Sequence, residues 1–75
     1  MLNKEELKAF CDRVGDTDGK FAEKHGIPYG VGHSFYCELS NAIDEERWDD
    51  IDQSDKFFAL YAAAFAKEDV DAAPI

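Results

Sequence analysis

Apolar residues recur at spacings of three and four along nearly the whole chain, and no run alternates with the period of two that a half-buried strand requires. That pattern restricts the fold to helices. A chain of 75 residues can enclose one core but not two, so every helix must turn its apolar face to the same interior. Six Phe, three Tyr and Trp48 fill that interior with more aromatic bulk than a disordered chain carries. The expected architecture is all-α, a small single-domain bundle of four or five short helices over residues 1–67, followed by a flexible acidic tail over residues 68–75.

Local signals place the helices. Asn3 followed by Glu6 is a capping-box arrangement, Leu2 can staple onto Leu7, and Leu7, Phe10, Cys11 and Val14 recur at helical spacing before a stop at Gly15. A second helix of about two turns follows a cap at Asp16, Thr17 or Asp18, carries Phe21 and Ala22 inward, and ends at His25-Gly26-Ile27-Pro28. Pro28 to His33 contains Gly30 and Gly32 and reads as a loop, so Ser34 is expected to cap the third helix, with Phe35, Leu39, Ala42 and Ile43 on its apolar stripe. From Asp44 that helix either continues or gives way to a short separate one carrying Trp48 and Ile51. Ser54 or Asp52 is expected to cap the last helix, where Phe57, Phe58, Leu60, Tyr61, Ala64 and Phe65 recur and Ala59, Ala62, Ala63 and Ala66 occupy the remaining surface.

The net charge of −9 is unevenly distributed. Residues 1–37 carry six acids against five bases, whereas residues 38–75 carry eleven acids against only Arg47, Lys56 and Lys67. Seven of those acids, Asp44, Glu45, Glu46, Asp49, Asp50, Asp52 and Asp55, fall within one short segment. Such a field repels DNA, RNA and anionic lipid and complements a basic protein surface. The longest apolar run, Phe57 to Ala66, is about half the length that crosses a bilayer, and no charged-then-apolar leader opens the sequence, so a cytoplasmic location is expected. Cys11 and Cys37 are too few for a disulfide framework and read as reduced thiols in a small hydrophobic role.

Several constellations come near known chemistry and fall short of it. His33 and Cys37 are four apart and could share zinc with Cys11 and His25, but no pair of cysteines has finger spacing and Cys11 lies on an apolar stripe. A Cys37 nucleophile activated by His33 lacks an orienting third group. Asp16-Thr17-Asp18-Gly19 resembles the opening of a calcium loop, but the matching register places Val14 first and His25 twelfth, where carboxylates are needed. Gly30-Val31-Gly32 has neither a third glycine nor a preceding strand, as a dinucleotide loop requires. Lys20 to Ile43 has the outline of a helix-turn-helix, yet its second helix would begin with poor helix formers and carries no Lys or Arg for phosphate. No catalytic residue, metal or cofactor is expected.

The acidic segment remains. If Asp44 caps a helical turn, Glu45 and Asp49, and Glu46 and Asp50, become like-charged neighbours one turn apart, each pair costing about 0.2 to 0.5 kcal/mol on an isolated helix. It serves either as a solvated face or as a docking face. The functional expectation is a non-catalytic interaction module that binds a basic protein surface through Asp44, Glu45, Glu46, Asp49, Asp50, Asp52 and Asp55, with Trp48 and Tyr29 as aromatic anchors. Compact acidic inhibitors of phages and mobile elements, which occupy surfaces that otherwise hold nucleic acid, share this composition. The alternative is a structural helical module that oligomerises or completes a larger assembly, the chain being a monomer or a homodimer.

Overall fold

The computed structural model describes residues 1–73 and, among them, contains helices, turns and no strand. Four α-helices form a small all-α bundle: α1 (Lys4–Gly15), α2 (Gly19–Lys24), α3 (Tyr29–Asp44) and α4 (Lys56–Ala72), with a single 3₁₀ turn over Trp48–Asp50 before α4. No helix is long and apolar enough to cross a membrane among the described residues.

At the start of α1 the capping box forms as the sequence implies. The Asn3 side chain accepts from the Glu6 amide at 2.9 Å, and the Glu6 carboxylate accepts from the Asn3 amide at 3.0 Å. Asp18 caps α2 by accepting from the Phe21 amide. Gly26 ends α2 with φ +69°, and the Ile27 amide donates back to the Ala22 carbonyl at 2.8 Å. Ile27 is buried, which pins the turn against the core.

The third helix begins earlier than the glycines suggest. Pro28, with φ −61° and ψ 130°, turns the chain straight into α3, so Tyr29 to His33 is helical rather than a loop, and Ser34 lies inside the helix. Propensity is overridden by packing at Gly32. A Cβ there would collide with the Tyr61 hydroxyl of α4, so glycine is what lets the two helices approach. Gly15 has the same kind of role against Tyr36, whose ring carbon would lie 2.7 Å from an added Cβ. It does not end α1 by a left-handed turn; Asp16 closes the helix in an ordinary right-handed conformation.

The core is aromatic and centred on Phe10. Its ring stacks on Phe58 at 4.4 Å and meets Phe35 and Phe65 edge-on at 6.5 and 5.6 Å. Tyr61 stacks on Phe35 at 5.5 Å, and Phe21 of α2 reaches both Tyr61 and Phe65. Leu7, Cys11, Val14, Leu39, Ile43 and Ala64 fill the spaces between the rings. Phe58 and Tyr61 therefore point inward, leaving Ala59, Ala62, Ala63 and Ala66 outward with Leu60.

Helix α4 also runs past Lys67, where the flexible tail was expected to begin, and is helical through Ala72. Charge holds this extra turn. Arg13 makes a bidentate pair with Asp69, at 2.6 and 3.2 Å, while its guanidinium lies 4.4 Å from the Phe65 ring centre. One oxygen of Glu68 takes both Lys24 and His25 at 2.8 Å. Residues 74 and 75 of the expected tail lie outside the described residues.

Two expectations follow. Gly32→Ala should destabilise the fold by about 1 to 3 kcal/mol through the collision with Tyr61. In a Tyr61→Phe background, where the nearest remaining ring atom would be 3.6 Å away, the same change should gain about 1 kcal/mol of helix propensity; urea denaturation of the four proteins reads the change of sign. The second concerns acid. The Arg13 hydrogen bond holds the Asp69 carboxyl below its ordinary range, and bonds from Lys24 and His25 do the same for Glu68. Because both folded values are depressed, their stabilisation is complete above the unfolded carboxylate pKa of about 4 and is lost as pH falls through the folded values. Asp69→Asn should therefore lower the urea midpoint at about pH 7, and its deficit against the wild type should shrink as the pH falls below about 4.

Candidate functional site

The acidic segment is a turn rather than a helix, and the end of α3 shows why. The Glu46 amide donates to the Ile43 carbonyl at 3.0 Å and the Arg47 amide to the Ala42 carbonyl at 2.7 Å, the paired bonds of a Schellman cap. Glu46 sits at the left-handed position that glycine usually takes, with φ 56°. Asp44 is thus the last residue of α3 and not a new cap, and the like-charged pairs one helical turn apart do not form.

The carboxylates are instead distributed over local tasks. Arg47 donates to Glu45 at 2.8 Å and to Asp50 at 3.0 Å, and these two bonds raise its pKa. Asp52 accepts from the Ser54 hydroxyl at 2.5 Å and the Ser54 amide at 2.9 Å, which holds its carboxyl below the ordinary range. Asp55, rather than Ser54 or Asp52, caps α4 by accepting from the Phe57 amide. Asp44, Glu46 and Asp49 are exposed. Gln53 clamps the segment to the start of the chain, donating to the Leu2 carbonyl at 3.0 Å and accepting from the Leu2 amide at 2.8 Å.

Trp48 lies half-buried against the core, with the ammonium groups of Lys4 and Lys8 5.3 and 6.0 Å from its ring centre. It packs the 3₁₀ turn onto α1. The Tyr29 side chain lies outside the described residues.

What this arrangement builds is a cleft of about 560 Å³ between α3 and the segment leading into α4. Val31, Phe35, Leu39 and Ala42 of α3 form its floor with Ile51, Phe57 and Phe58. Glu38 stands on the α3 side of the rim; Asp50, Asp52 and Asp55 stand on the other. The volume falls within the range of about 300 to 1,000 Å³ usual for binding pockets. Three of the expected site residues, Asp50, Asp52 and Asp55, thus come together, whereas Asp44, Glu45, Glu46, Trp48 and Asp49 do not line the cleft. Glu38, Val31, Phe35 and Phe57 join the site without having been singled out for it: in sequence Phe35 and Phe57 read as parts of helix stripes, Val31 falls in the expected loop, and Glu38 is one of the eleven acids of residues 38–75.

The other chemical candidates are dispersed. Cys11 is buried, and desolvation, aided by Asp12 and Asp44, pushes its thiol up to about 11, far from a reactive thiolate. His25 is occupied by Glu68. His33 and Cys37 meet at 3.6 Å on the surface of α3, and no group of three or more His, Cys, Asp or Glu gathers to hold a metal among the described residues. A second depression of about 270 Å³ lies beside Tyr36 and Tyr61, below the usual range for ligands. In the helix-turn-helix comparison, α3 is helical from Tyr29 after all, yet it holds no Lys or Arg.

The turn assignment has a direct consequence. Glu46→Gly should raise stability by about 1 kcal/mol, because glycine occupies the left-handed region without penalty. In a continuous helix the same substitution would lower it by about 1 kcal/mol, so the direction of the shift in the urea midpoint decides between the two. The chain matches no protein-family model, no curated protein and no solved structure.

Proposed function

We propose that the chain is a non-catalytic interaction module that binds a basic protein through the acid-rimmed cleft between α3 and α4. The observation that carries this reading is the coincidence of an apolar floor with four rim carboxylates in one cleft. Apolar surface left open to water drives association, and the carboxylates select the sign of what associates. Arg47 is the sole base between Asp44 and Asp55, and it is paired with Glu45 and Asp50, so the local field stays negative. A partner whose basic surface otherwise holds nucleic acid gives the inhibitor form of the same reading.

The test uses Glu38→Gln with Asp50→Asn, which removes two of the four rim charges while sparing Asp52 and Asp55, whose carboxylates brace the turn and cap α4. Immobilised wild-type and double-variant chains are exposed to lysate of the source organism at low and high salt. The wild type should retain a basic protein at low salt, release it at high salt, and retain it more strongly than the variant does. Equal retention by both chains, indifferent to salt, would refute the reading.

A further inference from the structure

The shape of the cleft defines its occupant more narrowly than charge alone. Its α3 wall runs from Gly30 to Ala42, about 18 Å at 1.5 Å per residue, which is the length of about three helical turns. Val31, Phe35 and Leu39 follow one another at intervals of four along that wall, and Ile51 and Phe57 face them. All of these except Leu39 are only half-buried, so a further apolar surface can still cover them.

The backbone of the walls decides the conformation of what lies there. The long α3 wall is helical, with its polar groups paired along its own axis; the opposite wall is the turn from Asp50 to Asp55 and the first turn of α4, and no strand borders the cleft among the described residues. Within that turn three amides are already taken: the Ile51 amide donates to the Trp48 carbonyl, the Ser54 amide to the Asp52 carboxylate and the Asp55 amide to the Asp52 carbonyl. An extended peptide laid along α3 would bury its own N–H and C=O groups without partners on that wall. A helix satisfies them internally.

Charge fixes the flanks. Glu38 lies on one side of the floor and Asp50, Asp52 and Asp55 on the other, and the last three are already held in place by Arg47, Ser54 and the Phe57 amide. Acceptors ordered in advance lose little freedom when a cation arrives. We propose that the cleft receives a cationic amphipathic helix of about three turns from a partner protein, its apolar stripe on the floor and Arg or Lys on both flanks; this rests on the interaction-module reading above.

Calorimetric titration of the whole chain with three synthetic peptides of about twelve residues tests it. The first carries Leu at helical spacings of three and four with Arg on both flanks. In the second, the same residues are permuted so that Leu share no face, and the third is the first with a central Pro. The first peptide should bind about tenfold or more tightly than either of the others. Ser34→Trp, which fills the mouth of the cleft from an exposed position on α3, should weaken that binding by a similar factor and leave the melting temperature unchanged. Amide shifts of Val31, Phe35, Ile51 and Phe57 in the wild-type chain should report the same site whether or not the Trp variant folds.

Equal binding of the permuted peptide would overturn the helix, because charge alone would then explain the attraction. Binding of a small lipophilic amine but of no peptide would overturn it too, as would closure of the cleft by a second copy of the chain in light scattering. If no peptide binds while a basic protein is still retained in a manner dependent on Glu38 and Asp50, the occupant is refuted and the interaction module stands. Failure of both refutes both.

Discussion

Phe10 is the contact on which the rest of the molecule depends. It stands on α1 and touches aromatic rings from both α3 and α4, so one side chain joins the three long helices. Aromatic pairs of this geometry contribute about 0.5 to 1.5 kcal/mol each beyond their buried area. A domain of this size has only about 3 to 5 kcal/mol in reserve, and emptying a Phe site costs about as much. The aromatic cluster therefore sets the positions of α3 and α4, and with them the two walls of the cleft.

Close packing of large rings requires small residues elsewhere. Gly32 admits the Tyr61 hydroxyl and Gly15 admits the Tyr36 ring, each giving up some helix propensity so that a bulky side chain from a neighbouring helix can lie close. At the far end of the bundle the solution is electrostatic. Arg13 and the Lys24–His25 pair hold Asp69 and Glu68, which brings the end of α4 back onto α1 and α2. Exposed pairs of this kind contribute little singly, but together with the stacking of Arg13 on Phe65 they orient the last turn.

The acidic segment connects this scaffold to function. Its carboxylates are not a regular strip along a helix, because the Schellman cap at Glu46 turns the chain away from α3 before the charges can align. They brace a turn instead, and three of them reach the rim of an apolar cleft. The same residues that shape the turn thereby set the charge of the opening. That economy suits a small chain, in which few side chains are free of a structural duty.

The helical class, the α1 capping box, the α2 stop at Gly26 and the inward aromatic stripes were all legible in sequence, because each depends on residues within a turn or two of one another. The concentration of acid between Asp44 and Asp55 was legible for the same reason. What the tertiary structure decided involves distant partners. Gly30 and Gly32 look like a loop until Tyr61, twenty-nine positions after Gly32, makes glycine the residue the helix needs. Glu46 carries no glycine signature for the turn it makes. Glu68 and Asp69 look like a loose tail until Lys24, His25 and Arg13 meet them across the bundle. The cleft depends on both kinds of information. Its carboxylates were visible as a cluster, but Glu38 and the floor of Val31, Phe35 and Phe57 join them only because the packing around Phe10 leaves that face of α3 half covered, and no local pattern records which part of an apolar stripe a small core will fail to cover.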